Sequence, residues 1–155
     1  VDDNCKKSTN PKDALASLKA PFGSIPRAVL DWLGVAMLEG VCKHGSMNYR
    51  IHGVRASVYY DALNRHSGDW WEGQDIDYDS PAKLHNILKA IATLVVLYDG
   101  ILQGVVTDDR PPPSKNFRAE LNAAAAQTIA SYAHLTPRHY TRDDTVVFQN
   151  NKDEK

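Results

Sequence analysis

The chain has 155 residues, enough for one domain with its own core, and is 43% hydrophobic and 24% charged, the balance expected of a globular fold. Its 18 basic and 19 acidic residues leave a net charge of -1, which argues against nucleic acid as a partner, because duplex-binding surfaces carry a clear positive excess. The longest apolar stretch, Ile91 to Leu97, is interrupted and too short for a bilayer, and Val1-Asp2-Asp3-Asn4 has neither the basic stretch nor the apolar run of a secretion signal, so no membrane partner and a cytoplasmic location are expected.

Residues 1–23 read as an irregular arm broken at Asn10-Pro11 and Pro21-Phe22-Gly23. A first helix is expected from Ser24, a good N-cap, with Pro26 in its first turn. Ile25, Val29, Leu33 and Met37 recur at four-residue steps, and Gly45 follows Lys43 and His44 as a stop. Cys42 falls in this apolar pattern, where a buried thiol is expected, and Cys42 with His44 is too little for a zinc site. A loop with Asn48, Tyr49 and Arg50 leads to a second helix over Val54 to Trp71, ended by Gly73 and the acidic run Asp75-Ile76-Asp77-Tyr78-Asp79.

Ser80-Pro81 predicts the start of a third helix, a cap followed by proline at the first helical position. Leu84, Ile87, Leu88, Ile91, Leu94, Val95, Tyr98 and Leu102 then follow at helical spacing to Gly104. Asp108-Asp109-Arg110-Pro111-Pro112-Pro113 is a stiff, extended connector. A fourth helix is expected over Ser114 to Leu135, where Ala123 to Ala126 favour helix and close approach. A tail from 136 to 155 follows, with Val146-Val147-Phe148 as its apolar run, too short to read as a strand. Amphipathic helices without a convincing strand give an all-α, four-helix bundle-like domain over 24–135.

Asp61, Arg65, Asp69 and Glu72 lie at steps of four, four and three, so they project from one helical face. That face is either a solvated ion-pair surface or, continued by Glu72-Gly73-Gln74-Asp75, a concentration of carboxylates suited to a hard divalent ion. Glu39 sits within an otherwise apolar stripe, as a surface residue or as a carboxylate aimed into the bundle. His66 and His85 are either core histidines or groups for phosphate, base or proton. Lys12, Lys19, Lys43, Arg50 and Arg65 supply positive charge, of which a triphosphate site needs several. Trp32, Trp70 and Trp71 suit core packing or stacking on a purine. No Gly-x4-Gly-Lys-Ser/Thr loop, His-Asp dipeptide or Gly-x-Ser-x-Gly elbow occurs.

In order along the chain stand Asn10-Pro11-Lys12-Asp13, Leu18-Lys19-Ala20-Pro21, Glu39-Gly40 with Lys43, Gly45, Asn48 and Tyr49, then Tyr60-Asp61-Ala62 with Arg65-His66. Trp70-Trp71-x-Gly73, Asp75-x-Asp77, Ser80, His85 and Asp108-Asp109-Arg110-Pro111 continue the series. This series resembles the phage dATP/dGTP diphosphohydrolases, MazG-like proteins also called MazZ, over about residues 10 to 112. The resemblance implies an all-α pyrophosphohydrolase related to the MazG and HisE enzymes, helical oligomers that use magnesium or manganese to cleave between the α- and β-phosphates. In phages that replace adenine by 2-aminoadenine, the family is thought to turn dGTP into dGMP, the precursor of that base.

The usual MazG pattern is Glu-x-x-Glu on one helix and Glu-x-x-Asp on the next, and Glu72-Gly73-Gln74-Asp75 fits half of it. The resulting expectation is that Glu39, Asp61, Glu72 and Asp75 hold Mg2+ or Mn2+ and carry catalysis. Lys12, Lys19, Lys43, Asn48, Arg50, Arg65, His66 and His85 are expected around a purine nucleoside triphosphate, dGTP, with GTP and dATP as alternatives. A homodimer or homotetramer is expected. The rival readings are a phosphatase that removes phosphates stepwise and a non-enzymatic helical interaction protein.

Overall fold

The computed structural model describes residues 19–144 and divides the chain into two units, Val1–Asp109 and Arg110–Lys155. Lys12, most of the expected N-terminal arm and the Val146-Val147-Phe148 run lie outside the described residues.

The first unit is helical, as its periodicity requires. A 3-10 turn, Phe22–Ser24, precedes α1 (Arg27–His44). Ser24 does not cap α1: its hydroxyl donates to the Pro21 carbonyl at 2.7 Å, and Pro26 stands at the helix N-cap instead. Gly45, at φ 93°, ends α1 by donating its N–H to Val41 at 2.8 Å, in a backbone region open to glycine. Cys42, expected to be buried, is exposed. The expected loop at Asn48 holds a short helix, α2 (Asn48–His52), followed by β1 (Val54–Arg55) and α3 (Ala56–Trp71).

α4 (Asn86–Gln103) begins later than Ser80-Pro81 predicts. Residues 80–84 instead form a turn in which Lys83 takes a φ of 50° and Ser80 and Leu84 are fully buried. The hydroxyl that would have capped a helix is committed to Glu39 at 2.8 Å, a tertiary bond overriding a local signal. His85 caps α4 in its place, Nδ1 accepting from the Ile87 N–H at 3.3 Å. Gly104, at φ 68°, closes the helix where expected.

Behind α4, β2 (Val106–Thr107) pairs in parallel with β1, Val54 opposite Val106 and Arg55 opposite Thr107. Gly100 makes this crossing possible: a Cβ there would stand 2.8 Å from Val54 Cγ2 and 3.3 Å from Val106 Cγ2. α4 packs chiefly on α3 and also touches α1, α2 and β2. Half of the buried hydrophobic positions among the described residues are alanines, Ala36, Ala56 and Ala90, beside Val54, Leu84 and Tyr49, so helices approach closely. Asp109 caps α3 from outside, its carboxylate accepting from the Ser57 N–H at 2.8 Å and hydroxyl at 2.6 Å.

α4 is long and apolar enough to cross a membrane by length and composition alone, with a mean hydropathy of 1.3. The same helix carries Lys89 and Asp99, both ion-paired to neighbouring helices of this unit. The second unit contains α5 (Arg118–Ser131), shorter at both ends than the Ser114 to Leu135 expectation, with its residues exposed. The fold is therefore all-α, carrying one two-stranded parallel pair whose strands are too short for periodicity to reveal.

Candidate functional site

Between α1, α2, α3 and α4 lies a cavity of about 320 Å3. Ala36, Ala92 and Val96 give it an apolar wall, and Glu39, Lys43, Asn48, Tyr59, His66 and Lys89 give it chemistry. Four of these, Glu39, Lys43, Asn48 and His66, are expected from the sequence; Lys89 is not, because a single lysine in the apolar stripe of α4 reads as a surface position.

Glu39 is the centre of the polar wall, with its side chain 11% exposed. It accepts from Lys43, one turn on along α1, from Lys89 at 3.0 Å and from Ser80 at 2.8 Å. Burial pushes its carboxyl upward, but the bonds from Lys43, Lys89 and Ser80 outweigh burial and bring it down to about 2. Glu39 is thus an anion at any ordinary pH. The bond to Glu39 likewise raises Lys43, against the opposing pull of burial. Lys89 reaches a second carboxylate, Asp77, at 3.7 Å, so its ammonium stands between two anions.

Tyr49 forms the floor of the α2 corner. Burial, with the Asp99 carboxylate alongside, pushes its hydroxyl above the ordinary value. Burial likewise raises Tyr59. Raised values keep both phenols as neutral O–H groups, and Tyr49 donates its proton to Met47 Sδ at 3.4 Å.

His66 enters from α3, its Nδ1 3.0 Å from Asn86 Oδ1. Asn86 is buried at the first position of α4, and its Nδ2 donates to the Gln74 carbonyl at 2.8 Å. The segment between α3 and α4 is held against this point by the Asn86 N–H on the Asp75 carbonyl at 2.8 Å and the Asp77 N–H on Leu84 at 2.8 Å.

The other expected residues stand elsewhere. Arg50 is engaged by Asp99 and does not line the cavity. Asp61 and Arg65 are exposed on α3. Glu72 is exposed at the C-cap of α3, and Gly73 turns away at φ 95°, so Asp75 does not continue the helical face on which Glu72 was expected to pair with it. His85 caps α4 and lines a separate apolar groove with Trp32, Ile76 and Leu88. Lys19 is exposed at the start of the described chain. Trp70 and Trp71 pack at 6.3 Å between centroids, tilted by 59°, and line neither cavity.

Among the described residues, no three His, Cys, Asp or Glu side chains converge as a metal-holding group. Glu39, Asp61, Glu72 and Asp75 are therefore not brought to one point, and Glu39 already has two ammonium groups where an ion would compete. The residues of one chain, as arranged, do not fit a divalent-ion centre built from that set.

A family model described as "dATP/dGTP diphosphohydrolase, N-terminal" matches residues 9–110, more than half of the chain. The match spans every side chain of the cavity and ends one residue after Asp109, the cap of α3. No curated protein and no solved structure matches the chain.

Proposed function

The chain belongs to the dATP/dGTP diphosphohydrolase family, and from that premise we propose that it hydrolyses a purine deoxynucleoside triphosphate, dGTP foremost, to its monophosphate and pyrophosphate. The observation that carries the reading is the convergence of Lys43 and Lys89 on one acceptor, Glu39, inside a cavity of small-molecule size. Two ammonium groups aimed at one point are a ready phosphate subsite. Glu39 supplies the counter-charge in the absence of substrate and shares the lysines with the phosphates when they arrive.

The reaction is attack of water on the α-phosphorus with cleavage of the bond to the bridging oxygen. Charge grows on the departing pyrophosphate, and preorganised lysines are strongest where water is excluded. By the family resemblance, turnover would depend on Mg2+ or Mn2+. The product dGMP would feed 2-aminoadenine nucleotide synthesis in the cytoplasm of a phage-infected host.

Assembly is part of the same proposal. Trp32, Leu38, Tyr98 and Leu102 are 56–64% exposed on α1 and α4, an apolar surface that a second copy would cover, giving a homodimer or homotetramer. Light scattering showing a 17.2 kDa particle alone would remove this part.

Product analysis with each of the four deoxynucleoside triphosphates, with magnesium or manganese and then with chelator, tests the whole. The expected outcome is metal-dependent dGMP and pyrophosphate from dGTP. Orthophosphate instead of pyrophosphate would mean that a different bond breaks, and folded protein inert to every nucleotide would end the enzymatic reading.

A further inference from the structure

His66 and Asn86 set a hydrogen-bond polarity inside the cavity that catalysis of the overall reaction does not by itself demand. Asn86 is 1% exposed, and both ends of its amide are engaged, Nδ2 by the Gln74 carbonyl at 2.8 Å and Oδ1 by His66 Nδ1 at 3.0 Å. A carbonyl oxygen can only accept, so the amide NH2 must face Gln74, and Oδ1, also an acceptor, must face the imidazole. Nδ1 therefore carries the proton. A neutral imidazole has one N–H, so its other nitrogen, Nε2, is left with a bare lone pair. His66 lines the same cavity as Glu39, Lys43 and Lys89, and Nε2 has no hydrogen-bond partner among the described residues.

We infer that Asn86 is a positioning residue that locks His66 in its Nδ1–H tautomer, so that Nε2 is an obligate acceptor for a hydrogen-bond donor of the nucleotide. Phosphate oxygens in the triphosphate are acceptors and cannot satisfy that lone pair. The donors a purine deoxynucleotide offers are the N–H groups of its base and its 3′-hydroxyl. The ligand half of the inference rests on the nucleotide reading above; the tautomer half does not.

The test is a long-range 1H–15N correlation spectrum of the full chain labelled at histidine nitrogens, at about pH 8.5, where imidazole is ordinarily neutral. His66→Gln identifies the signals by their loss. The expected wild-type pattern is a protonated Nδ1 and an unprotonated Nε2, and an Nε2–H tautomer would overturn the inference. Asn86→Leu should release the lock and restore Nε2–H; if that variant does not fold, the wild-type spectrum decides alone. Adding dGMP should shift the Nε2 resonance and leave Nδ1 protonated, and 2′,3′-dideoxy-GMP shows whether the base or the 3′-hydroxyl is the donor. An Nε2 resonance unmoved while dGMP saturates the protein would overturn the ligand half. Loss of the nucleotide reading shows differently, as the expected tautomer in a protein that neither turns over nor binds nucleotides.

Discussion

Arg50 and Asp99 form a two-pronged ion pair, Nε to Oδ2 at 2.8 Å and the second guanidinium nitrogen to Oδ1 at 2.9 Å, which ties α2 to α4 across 49 residues of sequence. The planar fork of arginine matches a carboxylate in a way lysine cannot. Its neighbours in sequence, Asn48 and Tyr49, line the cavity, so the pair holds a wall of the site without entering it. Arg50→Lys and Asp99→Asn should each raise KM more than they lower kcat. The double variant should be little worse than either single one, because both remove the same contact. Steady-state kinetics on the four proteins checks this; additive losses would mean that Arg50 acts on the substrate directly.

Glu39 links the site to acid stability. Its folded value of about 2 lies below the ordinary glutamate value of 4.5, so its contribution is fully present above the unfolded value and is lost as pH falls toward 2. The contribution is at most roughly 3 kcal/mol at neutral pH. Denaturant titrations of wild type and Glu39→Gln should therefore diverge most above pH 4.5 and converge as pH approaches 2. The same variant should lose turnover, since it no longer holds the two lysines.

Lys89 gives a sharper test of the phosphate subsite. Lys89→Met keeps the aliphatic stem and removes the ammonium. A charged hydrogen bond of this kind is worth about 1.5–3 kcal/mol, so kcat/KM for dGTP should fall by about 10- to 100-fold. Unchanged kinetics would place the phosphates elsewhere.

Two packing positions govern the fold around the site. Leu84 is 2% exposed in the turn before α4, and Leu84→Ala should cost about 2–5 kcal/mol. Gly100→Ala would set a methyl group 2.8 Å from Val54 Cγ2 and should cost about 1–3 kcal/mol through overpacking. Urea unfolding midpoints measure both; Gly100→Ala without loss would mean that the β-pair yields.

The sequence discloses what is local and repetitive. The stops of α1 and α4 are legible because Gly45 and Gly104 each end an apolar stripe, and both adopt positive φ. The all-α class follows from the same stripes. The start of α4 is not legible, since Ser80 carries a capping signature and spends its hydroxyl on Glu39, 41 residues away. α2 and the strands are too short for any period to register. Asp109 reads as part of a stiff connector and is the cap of α3, 52 residues back. At the site, Glu39, Lys43, Asn48 and His66 are legible through the ordered motif series, whereas Lys89 has no local signature. The carboxylate row on α3 is regular in sequence and outward in space, because regular spacing fixes a shared face and not the direction that face looks.

The pairing of β1 with β2 makes the α3–α4 hairpin a closed ring of chain. Val54 and Val106 are 52 positions apart yet directly opposite, and closing a loop of that length costs roughly 3.5 kcal/mol of chain entropy. That cost is offset by the packing of the two helices between, so the pair and the helix packing support one another. Traction on the segment after Thr107 is carried straight to the root of α3 and does not peel α4 from its end.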